Sequence, residues 1–180
     1  MMTVAIDASM LLLFLRPNTS VPCGRDGKPA PSHARERVKN LINELEESKA
    51  SVVVPAPALA EVLVRATADE AGQILDKMCS SAVFDIVPFD VRAAAELAEI
   101  MRAELADQGR NRLRDEAETR AKLKFDRQIV AIAKVSGATE LYAHDRGLVT
   151  VAARVGIRVI QLQDLALPSG MLQKELFERG

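Results

Sequence analysis

Aromatic residues are scarce in this chain of 180 residues, which has no tryptophan, one tyrosine and five phenylalanines. This disfavours a single-strand-binding protein that stacks successive bases on an aromatic platform. Cys23 and Cys79 are too few for a disulfide framework or a zinc motif, and His33 and His144 are too few for a histidine-rich metal site. The longest early apolar run, residues 10–15, is too short to span a bilayer, and no signal-peptide pattern precedes it. We therefore expect a cytoplasmic protein without a membrane partner.

Charge of one sign is also missing, since the net charge is −1. The whole molecule is therefore not a polyanion binder, and any contact with nucleic acid needs a local basic patch. The chain is 48% hydrophobic and 27% charged, as in soluble globular proteins. Its length predicts one domain with a sizeable core.

Short apolar runs alternate with helix-like stretches along most of the chain. The runs at 4–6, 51–54, 83–87, 140–144 and 157–160 are predicted strands, and amphipathic or apolar stretches lie between them. This alternation predicts an α/β fold, a single-domain α/β/α sandwich with a mostly parallel central sheet. Ser32 and Asp90 are predicted helix caps, and Gly137 and Gly156 are predicted helix ends.

Two segments differ from the rest of this pattern. Residues 16–31 are rich in proline and glycine and predict a loop insertion. Residues 107–124 are dense in both basic and acidic side chains and predict a charged insertion. We expect the domain to cover residues 1–165, with a C-terminal helix or tail at 166–180.

Four acidic residues stand where such a fold brings strand ends and helix starts together: Asp7, Glu61, Asp126 and Asp145. Each has an ordinary alternative, because Asp7 and Asp126 are suited to helix caps, Asp145 to a turn and Glu61 to a solvent-facing helix. Carboxylates packed together oppose one another's ionisation and so need a cation. The cluster predicts Mg²⁺ or Mn²⁺ with a phosphate group as substrate.

The first strand is not followed by a glycine-rich phosphate loop, which disfavours a small-molecule enzyme of the flavodoxin-like type. It ends instead in Asp7, with Ser9 two residues later. Together with Ala60-Glu61-Val62, Asp126 followed by small and apolar residues, and Asp145 just after a strand, this order resembles the PIN-domain family. The resemblance covers most of the core, from about residue 4 to about residue 160.

The resemblance implies a metal-dependent endoribonuclease, and many bacterial members of the family resemble the toxin half of a type II toxin–antitoxin pair. Asp7, Glu61, Asp126 and Asp145 would bind Mg²⁺ or Mn²⁺ directly or through water. Ser9 would support Asp7 or a metal-bound water, although helix capping explains it equally well. A small antitoxin, an RNA substrate and a homodimer are the expected partners. The alternatives are an RNA-processing nuclease outside a toxin system and a non-catalytic PIN-like scaffold that binds RNA or protein.

The chain departs from the family pattern after its fourth acid. Many members have a further acid a few residues later, whereas here Arg146, Gly147, Leu148 and Val149 follow Asp145. This puts a second metal ion in doubt. Lys124 and Arg127 flank Asp126 and are predicted to bind nucleic-acid phosphates, while most of the charged insertion reads better as a solvated helix. For His144, beside Asp145, we expect a structural role.

Overall fold

The computed structural model describes residues 2–21, 31–108, 117–168 and 171. Five strands form one sheet in the order β3-β2-β1-β4-β5, and every neighbouring pair is parallel. The strands are β1 (Thr3–Ile6), β2 (Ser51–Pro55), β3 (Phe84–Val87), β4 (Glu140–Tyr142) and β5 (Arg158–Ile160). The predicted α/β class with a parallel sheet is confirmed.

Seven helices of the described residues flank this sheet. They are α1 (Ala8–Leu15), α2 (Ala34–Glu47), α3 (Ala56–Val64), α4 (Ala68–Ser80), α5 (Val91–Gln108), α6 (Ala117–Val135) and α7 (Arg146–Arg154), and a 3₁₀ turn follows at Leu162–Asp164. Helix α1 packs on α2 and α3, whereas α6 packs on α5 and α7. Right-handed crossovers place α1–α4 on one face of the sheet and α5–α7 on the other, which gives the α/β/α layers.

The central strands are buried on both faces, as their continuous apolar sequence predicts. Val4, Val52 and Val54 have no exposed surface, and Ile6 is equally enclosed. Burial of each such side chain contributes about 1.5–3 kcal/mol to folding. The sheet is therefore a rigid base from which the loops at its carboxyl edge project.

Most helix ends lie where the sequence predicts. Asp90 caps α5, because its side chain accepts a hydrogen bond from the backbone N–H of Ala93 at 2.9 Å. Gly137 and Gly156 follow α6 and α7 with φ of 76° and 79°, a left-handed conformation that glycine adopts without a Cβ clash.

Two predicted helix starts are wrong. Helix α6 begins at Ala117, well before Asp126, so Asp126 lies inside the helix and does not cap it. Helix α2 begins after His33, whose φ is 55° and which makes no side-chain cap bond, so Ser32 is not the N-cap.

The predicted insertions lie partly outside the described residues, which omit 22–30 and 109–116. The described parts show that the charged segment joins α5 to α6. Of the predicted tail, only residues 166–168 and 171 are described, so the domain limits stay predictions. Among the described helices, none is long and apolar enough to cross a membrane.

Candidate metal centre

The strand order changes direction at β1, because β2 and β3 are added on one side of β1 whereas β4 and β5 are added on the other. Parallel α/β sheets bind ligands at such a switch point, outside the carboxyl ends of the strands. Asp7 follows β1 at this point, and Asp145 follows β4. The topology alone therefore brings the first and fourth predicted acids to the same edge.

Asp7 is 2% exposed, and its carboxylate accepts hydrogen bonds from Met10, Ser9 and the backbone of His144. The backbone N–H of Met10 donates to Oδ1 at 3.0 Å, which makes Asp7 the N-cap of α1. The Ser9 hydroxyl lies 2.8 Å from Oδ1 and 3.0 Å from Oδ2. Asp7 thus caps a helix and also holds a fixed carboxylate at the switch point, so the two readings of this residue are compatible.

The protonation of Asp7 is unusual for an aspartate. Burial raises its pKa to about 6, and the negative charge of Asp145 adds to this rise. The hydrogen bonds from Met10 and Ser9 oppose the rise without cancelling it. A cation beside the carboxylate would remove this electrostatic cost.

Asp126 and Asp145 meet at Gly147. Asp126 is 6% exposed within α6, and Asp145 caps α7 by accepting a hydrogen bond from the Gly147 N–H at 2.7 Å. A Cβ at position 147 would overlap Asp126 Oδ2 and stand 3.1 Å from Asp145 Oδ1. The two carboxylates therefore occupy the space that a side chain at position 147 would fill.

This role of Gly147 was missed from the sequence, which showed only that position 147 carries no additional acid. The available signal is a glycine two residues after the cap Asp145, inside the first turn of a helix, where the backbone does not require one. The described structure gives the reason, which is the close approach of Asp126 from a neighbouring helix.

Glu61 lies on α3 and forms an ion pair with Arg65, one turn later, at 2.8 Å. Both side chains are at least half exposed, so the pair contributes only about 0.3–0.5 kcal/mol. The far end of α3 is fixed by Arg16, which donates to the Arg65 carbonyl and pairs with Glu70 at 3.1 Å. Glu61 is consequently a half-exposed carboxylate on a well-anchored helix.

One cavity of about 760 Å³ is lined by all four predicted acids and by Ser9. Its remaining walls come from α1, α3, α6, α7 and the loop after α1: Ala8, Leu12, Thr19, Ser20, Pro57, Ala60, Val64, Arg65, Phe125, Ile129 and Leu148. Within the described part of the chain, no three His, Cys, Asp or Glu side chains are grouped closely enough to hold one ion between them. The acids therefore share a cavity while Glu61 faces its arginine.

The four carboxylates that line the cavity are the type of ligand that suits an oxygen-preferring divalent cation. Asp7 is fixed and electrostatically strained, and Asp126 and Asp145 converge over Gly147. Carboxylate oxygens are the ligands that Mg²⁺ and Mn²⁺ prefer. Exchange of Arg65 for a cation at Glu61 would cost little, because the Glu61–Arg65 ion pair is exposed.

The two predicted phosphate-binding residues have different surroundings. Lys124 is exposed on α6. The Arg127 guanidinium lies 2.5 Å and 2.7 Å from Glu104 Oε2, and Glu104 also pairs with Arg154 at 3.3 Å. Arg127 thus joins α6 to a buried carboxylate on α5, and its binding to nucleic acid stays a prediction. Arg65, which no sequence pattern indicated, is the cation that lines the cavity.

A family model for the PIN domain matches residues 30–154, well over half of the chain. The chain belongs to the PIN-domain family. The match includes Glu61, Asp126 and Asp145 and begins after Asp7 and Ser9, which the fold places beside them. The family membership inferred from the four motifs is confirmed.

Several solved structures share this PIN fold. VapBC2 from Rickettsia felis, solved bound to a DNA fragment from the promoter, is 14% identical with a TM-score of 0.57 and covers 89% of this chain and 98% of its own. DNA-bound VapBC from Salmonella typhimurium is 16% identical with a TM-score of 0.54 and covers 90% and 99%. VapC20 from Mycobacterium tuberculosis, a sarcin–ricin loop cleaving toxin, is 14% identical with a TM-score of 0.50 and covers 84% and 94%.

At such low identity these likenesses establish the fold alone. No curated protein sequence matches the chain. The activity therefore has to be argued from the cavity and its carboxylates.

Proposed function

We propose that this PIN-domain protein is a metal-dependent endoribonuclease and the toxin of a toxin–antitoxin pair. The observation that carries the proposal is the convergence of Asp7, Glu61, Asp126 and Asp145 on one cavity at the switch point of the sheet. Four acids in one cavity are electrostatically unfavourable without a cation, and a phosphodiester is the substrate group that such a cation serves.

The cation would be Mg²⁺ or Mn²⁺, held by Asp7, Asp126, Asp145 and Glu61. When bound, it would supply activation of a water molecule by lowering its pKa and stabilisation of the charge on the leaving oxygen. The Ser9 hydroxyl contacts both oxygens of Asp7 and fixes the plane of that carboxylate. Gly147 leaves the space in which Asp126 approaches Asp145.

Positive charge for the phosphate backbone would come from the rim of the cavity. Arg65 lines it and is free to contact a phosphate once Glu61 turns inward. Lys124 is exposed two residues before Asp126. These two cations would position the RNA strand without reading its sequence.

The partners follow from the comparisons and from the surface. Two of the structurally similar proteins are VapBC complexes, which supports a small antitoxin for this chain as well. The third is a toxin that cleaves the sarcin–ricin loop, which supports RNA as the substrate. Helix α5 exposes Val91, Met101 and Leu105, a surface suited to a homodimer. The cytoplasm is the compartment in which these partners meet.

The test is cleavage of a fluorogenic single-stranded RNA and of a folded stem-loop RNA by the purified protein, with Mg²⁺, Mn²⁺ or EDTA. We expect cleavage with either ion, none in EDTA, and a loss of at least about 100-fold in Asp126→Asn. The matched control is Asp76→Asn, which changes an exposed acid on α4 that does not line the cavity. Cleavage that survives in Asp126→Asn, or in EDTA, would contradict the proposal. Metal binding without cleavage of either RNA would instead favour the non-catalytic scaffold.

A further inference from the structure

Exposed apolar side chains stand at the mouth of the acid-lined cavity. Val64 on α3 is 85% exposed and Phe125 on α6 is 53% exposed, and both line the cavity. Pro57, Ala60 and Leu12 add further apolar lining. Asp7 and Asp126 are buried, whereas the exposed part of the lining combines Val64 and Phe125 with the charged pair Glu61–Arg65.

Phe125 is more exposed than Phe89, at 53% against 36%, and only Phe125 of the two lines the cavity. Phe14 and Phe84 pack against each other with their ring centroids 5.9 Å apart, and Lys77 lies over the Phe14 ring. Phe125 directly precedes the buried Asp126 in α6, yet its own side chain faces outward. An exposed aromatic ring beside a polar site is an unfavourable arrangement for folding alone and a favourable one for binding a flat ligand.

Resting on the proposed ribonuclease function, we propose that Phe125 and Val64 form a nucleobase subsite. An unpaired base of the RNA stacks on the Phe125 ring at the mouth, with Val64 on the opposite helix closing the slot. The adjoining phosphate then reaches the buried carboxylates, and Arg65 at the rim balances its charge.

Three observations favour a single nucleotide as the occupant. The cavity, at about 760 Å³, is large enough for one nucleotide and its cation. Its lining combines exposed apolar side chains, Val64 and Phe125, with buried carboxylates, Asp7 and Asp126, which matches a base joined to a phosphate that bears a cation. Phe125 and Asp126 are adjacent on one helix, so the stacked base and the reacting phosphate would be neighbours in the same strand.

This subsite has consequences for substrate choice. A base stacked on Phe125 has to be out of a helix, so paired RNA would bind only where a loop or bulge releases a base. Stacking is tolerant of base identity because every base has a flat face. The subsite therefore selects unpaired positions and leaves sequence preference to other contacts.

The test measures binding of a fluorescein-labelled ten-nucleotide RNA by anisotropy, with Ca²⁺ as the oxygen-ligated cation. A series of the same RNA has an abasic ribonucleotide at each position in turn. We expect Phe125→Ala to weaken binding of the intact RNA about 5- to 150-fold, the range for loss of one stacked base. One abasic position should weaken the wild type by a similar factor and have no further effect in Phe125→Ala.

Two controls separate stacking from a general loss of structure. Phe125→Trp preserves a flat ring and should bind as well as the wild type. Phe89→Ala removes another exposed phenylalanine, which does not line the cavity, and should change nothing. Phe125→Ala that binds normally, or that weakens intact and abasic RNA alike at every position, would overturn the subsite.

Failure of the subsite and failure of the nuclease are distinguishable. Metal-dependent cleavage that persists in Phe125→Ala with unchanged RNA affinity would reject the subsite alone. RNA affinity that is the same with and without a divalent cation, and the same in the wild type and in Asp126→Asn, would reject the nuclease site. The exposed apolar side chains at the mouth could also form a dimer contact, which light scattering tests. A dimer that dissociates in Phe125→Ala would make this surface a contact between two copies and overturn the subsite.

Discussion

Two groups of charged side chains meet at neighbouring residues of α6, Asp126 and Arg127. They differ in the signs of the charges that they bring together. Asp126 shares a cavity with Asp145 and Asp7, and the described residues that line it include no buried cationic side chain. The adjacent Arg127 joins Glu104 and Arg154 in a group where one buried carboxylate meets two guanidinium groups. The group of opposite charges connects α5, α6 and α7, whereas the group of like charges costs stability and provides a binding site.

Proximity in the sequence does not decide whether a charged residue has a structural or a functional role. Asp126 and Arg127 are neighbours in the sequence, and both were predicted to serve the site. Burial and partners assign them to different groups, because successive side chains of a helix point about 100° apart. Four substitutions test this division, beginning with the largest expected effect.

Glu104→Gln should destabilise the protein by about 3 kcal/mol, because Arg127 and Arg154 would lose the carboxylate that balances their charge. Urea unfolding measures the change in the free energy of unfolding. The control is Glu99→Gln on the same helix, whose pair with Arg102 is about two-thirds exposed and should contribute less than about 1 kcal/mol. Equal effects of the two substitutions would show that the buried Glu104 contributes no more to stability than an exposed ion pair does.

Asp7→Asn should stabilise the metal-free protein by about 1–3 kcal/mol at pH 7. The pKa of Asp7 is about 6 in the folded chain, against 3.8 for an aspartate in an unfolded chain. The folded state therefore binds a proton at Asp7 more tightly than the unfolded state does. Stability of the wild type should therefore fall as the pH rises from about 4 to about 6, and then level off. Asparagine preserves the N-cap of α1.

Thermal unfolding in EDTA from pH 4 to pH 8 checks this sign. The Asp7→Asn curve should lack the decline that the wild type shows between pH 4 and pH 6. A variant less stable than the wild type at pH 7, with the same pH profile, would show that Asp7 is not under electrostatic strain.

Gly147→Ala should weaken Mn²⁺ binding about 10-fold, because the new methyl group displaces the Asp126 carboxylate without changing any charge. Isothermal titration measures the affinity. The matched control is Gly72→Ala in α4, where an added Cβ meets nothing within 4 Å. That variant should gain about 0.5–1 kcal/mol in stability and bind Mn²⁺ as the wild type does. Unchanged affinity in Gly147→Ala would separate Asp126 from the metal.

Arg65→Ala should have the smallest effect. Removing an exposed partner of Glu61 should change stability by less than about 0.5 kcal/mol and raise Mn²⁺ affinity about 2-fold, because Glu61 no longer exchanges an arginine for the cation. The same titration checks it at low ionic strength. A fall in Mn²⁺ affinity would mean that Arg65 positions Glu61 for the metal and does not compete with it.

The sequence predicted the fold because its apolar runs and helix-like stretches alternate without ambiguity. It also predicted which acids share a cavity, since Asp7 and Asp145 follow strands that meet at the switch point. The start of α6 was missed because the residues before Asp126 are charged and show little apolar periodicity, although alanine, glutamate, lysine and arginine all favour helices.

Long-range contacts were beyond the reach of sequence patterns. Glu104 and Arg127 are 23 positions apart, on helices whose relative rotation no local pattern fixes. The role of Gly147 depends on a carboxylate that arrives from another helix. Such contacts depend on tertiary packing, and they decide which predicted site residues face the cavity.

Calorimetric titration of the metal-free protein with Mn²⁺, in parallel with Asp126→Asn and Asp76→Asn, shows whether these acids form a metal centre. We expect the wild type and Asp76→Asn to bind Mn²⁺ with the same affinity and Asp126→Asn to bind at least 10-fold more weakly. Equal binding by all three proteins, or none by the wild type, would contradict a metal centre built from these acids.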